Sequence, residues 1–163
     1  MLLSPHILVG AAVAATAPNL LLGLVLAFLS HLLLDKIPHA EYSVEPLKQI
    51  REKGYKRCLP ILRRVAADFA VGYLVLIIAV LISGKDIPFA AWAFGGFFGA
   101  LPDGLSFLLF NRKDDRGYFG VILKMFYILH QKLHFDKKNN PPLRMGLATQ
   151  AVASLLALYF LIF

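Results

Sequence analysis

Residues 5–35 read PHILVGAAVAATAPNLLLGLVLAFLSHLLLD. The apolar run breaks at Thr16-Ala17-Pro18-Asn19, where Pro18 cannot continue a helix that began upstream and Asn19 can cap a new one. Two helices joined by a tight turn are therefore expected. The first, about 12 residues, covers about 18 Å at 1.5 Å per residue, too short to cross a bilayer. The second ends near Ile37, because Pro38 disfavours helix in the residue before it. The expected shape is a broken or re-entrant helical hairpin with His6 and His31 both at its open end. Ala15-Thr16-Ala17 has the small-x-small look of a signal-peptidase site, but no Lys or Arg precedes the apolar run and Pro18 would follow the cut. The segment is expected to stay in the protein.

The rest of the chain repeats this apolar character. Residues 59–83 and 88–110 each exceed the roughly 20 apolar residues needed for one crossing and are joined by the short Gly84-Lys85-Asp86 turn, which predicts an antiparallel transmembrane pair. Gly95, Gly96 and Gly99 on the second of these favour close helix packing in lipid. Residues 118–135 mix apolar and basic side chains, and 143–163 forms a final span. The polar stretch 40–57 is expected to be a loop with one short surface helix. Of 163 residues, 58% are hydrophobic and 17% charged, against about a quarter charged in a soluble domain. Mean hydropathy is +0.66. The expected fold is all-α, a polytopic membrane helix bundle forming a single domain over residues 1–163. The composition excludes disorder, collagen and coiled coil, and Cys58, the sole cysteine, excludes a disulfide scaffold.

Charge is concentrated in two places. Eight of the 17 Lys and Arg residues lie between Lys36 and Arg64, eight more between Arg112 and Arg144, and Lys85 stands apart. This is the positive-inside pattern, so both basic segments are expected in the cytoplasm and the Lys85 turn outside. The basic runs flank apolar spans with little aromatic interleaving, so the net charge of +7 is not read as a nucleic-acid footprint. The expected location is the inner membrane of a bacterium or archaeon, with the bilayer as partner; oligomeric state is left open.

Three acidic residues remain in apolar sequence: Asp35, Asp68 and Asp103. A carboxylate at bilayer depth is costly and is normally paired, hydrated or coordinating an ion; for Asp68 the plain alternative is an ion pair with Arg64, one turn earlier. The five histidines, His6, His31, His39, His130 and His134, sit at the ends of apolar segments or on the helix of 118–135. His31 and Asp35 are four residues apart, as are His130 and His134, so each pair shares a helix face and can hold one ion. Lone histidines at helical spacing are more often core residues than ligands, but two such pairs with three carboxylates point to a metal site. The predicted ligands are His6, His31, Asp35, His39, Asp68, Asp103, His130 and His134. That set exceeds one tetrahedral ion and suits two or three, zinc first and manganese next. His130-Gln131-Lys132-Leu133-His134 is not the zinc-protease signature, since Gln131 replaces its Glu.

Ser4-Pro5-His6 running into Ile7-Leu8-Val9-Gly10, His31-x3-Asp35 leading to Pro38-His39, and Gly99-Ala100-Leu101-Pro102-Asp103 together resemble the predicted inner-membrane metal-dependent hydrolases, also described as LexA-binding membrane hydrolases. In that family another acidic residue or His commonly follows Leu-Pro-Asp, whereas Gly104-Leu105-Ser106 follow here. A more distant likeness is to the all-helical zinc-dependent phospholipase C and P1-type nuclease group, whose His-x3-Asp and nearby His help to build a trinuclear zinc site. His31, Asp35 and His39 match it loosely, and His130-x3-His134 stands where that group has His-x3-Glu. The resemblance implies phosphoester hydrolysis, and an amphiphilic substrate such as a phospholipid or polyprenyl phosphate would suit a site at the depth of these residues.

The leading expectation is a membrane-bound metal-dependent hydrolase with its site at the cytoplasmic leaflet. Asp68 or Asp103 would be bridging ligand or general base. Arg63, Arg64 and Lys132 would hold a phosphate, against a plain role as snorkelling residues at the interface. The alternatives are a metal-ion transporter or metal-sensing membrane protein, and an interaction module whose histidines only pack.

Overall fold

The computed structural model describes residues 2–40, 43, 47, 50, 54–111, 118–134 and 142–163. Among these residues the protein is all-helical, with α1 (Leu3–Thr16), α2 (Leu20–Leu34), α3 (Tyr55–Ser83), α4 (Phe89–Asn111), α5 (Tyr118–Leu133) and α6 (Leu143–Ile162). Of the expected loop 40–57, the described residues include Leu47 and Ile50, both helical. Tyr55–Arg57 already belong to α3, while residues 41, 42, 44–46, 48, 49 and 51–53 of that loop, Lys48 included, and the Lys137 segment lie outside the described residues.

The hairpin forms as its turn chemistry requires. α1 stops at Thr16, and the Asn19 side chain accepts the Leu22 N–H at 3.0 Å to start α2. The end of α2 departs from expectation: the helix stops at Leu34, and the Lys36 and Ile37 N–H groups donate to the Leu33 and Leu34 carbonyls, tightening the chain into a turn. α3 begins earlier than expected, after Gly54, and closes at Gly84, whose φ of 63° is the left-handed cap that glycine adopts without penalty.

α1 is the hub. It packs against α2, α3, α4 and α6, and Ile7, Leu8, Ala11, Ala12 and Ala14 are all buried. A helix surrounded on all sides needs small residues where backbones cross. A Cβ on Gly10 would lie 2.8 Å from the Gly99 Cα, one on Gly95 2.8 Å from the Gly10 carbonyl oxygen, and one on Gly99 would strike the His6 carbonyl. The α1–α4 crossing is therefore a backbone-to-backbone contact of the small-residue kind. It brings the first turn of α1 beside the Gly99–Asp103 stretch of α4.

The outer surface is apolar. Leu21, Val25 and Leu29 of α2, Val71, Leu74 and Leu81 of α3, and Leu155, Tyr159 and Phe160 of α6 are exposed. α3 and α6 are long and apolar enough to cross a membrane. The expected 88–110 span is helical as α4. Lys85 donates from Nζ to the Phe160 carbonyl at 3.4 Å, so the α3–α4 turn and the end of α6 share one end of the bundle. The opposite end holds the start of α1 and the last turns of α2, α4 and α5.

Gly99→Ala should be destabilising by about 1–3 kcal/mol, the usual range for forcing an extra methyl into a packed site. Gly104 faces open space, so Gly104→Ala should be neutral or stabilising by up to about 1 kcal/mol. Thermal unfolding of the two variants in one detergent tests the contrast; equal stabilities would remove the close crossing.

Candidate metal centre

The buried polar or charged side chains among the described residues are His6, His31, Asp35, His39, Ser106, His130 and Gln150. All sit at the end where α1 begins and α2 stops. α2 contributes His31 from its last turn and Asp35 from its cap; α5 contributes His130 and His134, one turn apart; α4 contributes Asp103 and Ser106; the chain after α2 contributes His39.

Asp35, only 1% exposed, lies at the centre. Its Oδ2 is 3.1 Å from His31 Nε2, 2.9 Å from His130 Nε2 and 3.9 Å from His134 Nε2. His31 Nε2 is in turn 3.3 Å from His130 Nε2 and 3.6 Å from Asp103 Oδ1. The outward-facing ring nitrogens are also held. His31 Nδ1 donates to the Gly99 carbonyl at 2.8 Å, His39 Nδ1 donates to the Ile37 carbonyl at 2.7 Å, and His130 Nδ1 pairs with Ser106 Oγ at 3.1 Å. Anchoring Nδ1 fixes the ring and turns Nε2 inward, which is how metal-binding histidines are oriented. His39 lies beyond the helices, and burial pushes its imidazole below the usual histidine range, favouring the neutral form that can bind a metal.

Four ligands at about 2.0–2.2 Å from a zinc ion stand about 3.3–3.6 Å apart around a tetrahedron. His31, His130 and Asp35 face one another at 2.9–3.3 Å, His31 faces Asp103 at 3.6 Å, and all four ligand atoms lie within 4.8 Å of one another. The donor set therefore fits a divalent ion. Two groups of candidate ligand atoms can be drawn, each with all atoms within 4.8 Å of one another: His31, Asp35, Asp103 and His130, and Asp35, His39 and His134.

The remaining predicted site residues fall outside these two groups. His6 is fully buried and stacks on His31, with ring centroids 3.8 Å apart, and its Nε2 is 3.2 Å from Asp35 Oδ1. Neither of its ring nitrogens makes a hydrogen bond, and it enters neither ligand group. It backs the cluster on the far side of Asp35. Asp68 is also outside both groups. Its carboxylate accepts the backbone N–H groups of Leu3 and Ser4 and the Ser4 hydroxyl, capping α1 from the neighbouring helix α3. The N-cap residue of α1, Leu2, makes no side-chain cap hydrogen bond, so the first N–H groups take their acceptor from across the bundle. Arg63 and Arg64 are exposed on α3, and Lys132 on α5.

Sequence reasoning missed the residues that hold the ligands: the Gly99 carbonyl, Ser106, and Thr149 and Gln150 of α6. Thr149 donates to the Pro38 carbonyl and Gln150 to the Ala40 carbonyl, on either side of His39. Ser106 offered one signal, as a polar residue one turn beyond Asp103 on an apolar helix.

The chain matches no protein-family model, curated protein or solved structure.

Two substitutions separate cap from cluster. Asp68→Ala should lower stability by about 0.5–2 kcal/mol, the worth of a helix cap, and leave metal content unchanged. His31→Ala should remove bound metal. Metal analysis and thermal unfolding of both variants check this; loss of metal from Asp68→Ala would return Asp68 to the ligand set.

Proposed function

We propose that the protein is a polytopic membrane protein of the inner membrane and a metal-dependent hydrolase of phosphoesters carried on amphiphilic molecules. The observation that carries this reading is the cluster: two imidazoles and two carboxylates whose ligand atoms all lie within 4.8 Å of one another, with Asp103 left 38% exposed beside three nearly buried partners. A closed structural site has no need of an accessible edge, whereas a hydrolytic one must admit water and substrate.

His31, His130 and Asp35 would hold the ion, with Asp103 at the open side of the group. A divalent ion in this place supplies Lewis acidity, drawing charge from a phosphoryl oxygen and making water acidic enough to attack near neutral pH. Asp103 presents Oδ1 to His31; its other oxygen accepts the proton of the attacking water as the bond from phosphorus to the leaving oxygen breaks. Zinc is the first choice for two imidazoles and two carboxylates, and manganese the next.

The exposed leucines and phenylalanines of the outer helices support the membrane setting, as lipid-facing surfaces require apolar cover. The cluster sits at the end to which the basic segments attach, and the positive-inside bias supports a cytoplasmic-leaflet position for it. A transporter places its ligands near the midplane, so this position favours a hydrolase. Exposed Arg63, Arg64 and Lys132 flank that leaflet and draw phosphate headgroups toward it. The resemblance carried by the motifs at His6, His31-x3-Asp35 and Pro102-Asp103 points the same way.

Phosphate release from phospholipid in mixed micelles, followed with zinc-loaded and manganese-loaded protein, tests the activity. Asp103→Asn should reduce turnover by about 10²-fold or more, the usual contribution of a general base. Full activity in that variant removes the assignment. Cysteine labelling tests the orientation separately: Lys85→Cys should react from outside the cell, Lys48→Cys only from within.

A further inference from the structure

Asp35 belongs to both ligand groups, and no histidine does. An imidazole anchored through Nδ1 has one lone pair left, at Nε2, and serves one ion. A carboxylate has two oxygens and about four lone-pair sites, enough for two ions. We infer that the cluster is a binuclear centre with unequal halves bridged by Asp35: an inner half made by His31, Asp103 and His130, and an outer half made by His39 and His134. The inference rests on the metal-binding part of the proposed function and not on hydrolysis.

The halves differ in how they are built. The inner ligands stand on α2, α4 and α5, and the His31 and His130 rings are braced by the Gly99 carbonyl and Ser106. With Asp35 they make four candidate ligands, Asp103 standing at the accessible edge. Among the described residues the outer half has three, counting Asp35. His134 lies just past the last turn of α5, where its N–H still donates to the His130 carbonyl at 2.9 Å. His39 comes from a non-helical stretch whose position is set by α6. Thr149 and Gln150 grip the carbonyls before and after it, and Gly146 lies so close that a Cβ there would fall 2.5 Å from the Ala40 nitrogen. His39 and His134 meet edge to face, ring centroids 4.9 Å apart.

Two consequences follow from this construction. The outer half has two histidines, both beyond the helix ends, so the outer ion is the one that exchanges more readily with solvent. Thr149 and Gln150 are positioning residues for that ion alone, since they touch the His39 segment and neither carboxylate.

The test uses full-length protein purified in detergent and dialysed against graded zinc buffers, with zinc per chain measured by mass spectrometry. Two ions per chain are expected, released at clearly different free-zinc concentrations. His39→Ala and His134→Ala should each keep one ion at the tighter affinity. Thr149→Val and Gln150→Leu, which leave every ligand in place, should weaken only the looser ion by about 10–100-fold, the usual cost of removing support behind a metal ligand. Asp35→Asn should lose both. Manganese-loaded protein should show the exchange-coupled spin signal of two ions about 3.5–4 Å apart, the spacing of two-metal sites. A single ion per chain, or equal weakening of both ions in Gln150→Leu, overturns the binuclear centre while leaving a mononuclear hydrolase standing. No bound ion in the wild-type protein overturns both readings.

Discussion

Asp35 sets the terms for the rest of the structure. A carboxylate buried among helices of leucine, alanine and phenylalanine is costly unless donors or cations surround it. Three histidine Nε2 atoms lie within 3.9 Å of its Oδ2, and a fourth faces its Oδ1. Hydrogen bonding alone serves this group poorly. The His31 ring has given an N–H to Gly99, and its Nε2 faces another Nε2 at 3.3 Å, where two lone pairs would oppose each other without a proton or ion between them. A cluster of this kind could hold a positive ion at its centre.

Convergence on Asp35 depends on how closely the helices approach. His31 can reach the Gly99 carbonyl only because α4 passes near the α1–α2 hairpin, and it does so because Gly10, Gly95 and Gly99 carry no side chain at the crossing. The same contact that packs the bundle thus orients a ligand. Asp68 contributes from farther out. By capping α1 from α3 it fixes the turn that carries His6, so a carboxylate outside the cluster still helps to shape the wall behind it.

Side-chain chemistry divides between the two ends of the molecule. The end with Gly84, Lys85 and the last turn of α6 has no buried polar group among the described residues, and the opposite end has all of them. Because the helices are antiparallel, short local motifs far apart in the chain meet there: the start of α1, the end of α2, the second half of α4, the end of α5 and the first turns of α6. α6 bears no candidate ligand, yet it holds the backbone on both sides of His39.

Much of this was legible in the chain itself. The break at Pro18-Asn19, the helix periods, and the i, i+4 pairs His31/Asp35 and His130/His134 are local properties, governed by backbone sterics and the helical repeat, and they carried over into the structure. Asp35, Asp103, His31, His39, His130 and His134 were recognisable because polar groups in apolar sequence need a reason to be there. The sequence could not separate Asp68 from them, since a capping carboxylate and a coordinating one have the same composition and the same apolar flanks. Only the tertiary structure decided that Asp68 meets the N–H groups of Leu3 and Ser4, that His6 stands behind Asp35, and that Ser106, Thr149 and Gln150 support the ligands. The physical reason is that each of these contacts joins helices separated along the chain, and the partner of a hydrogen bond across a bundle is set by packing distance, which no local pattern encodes.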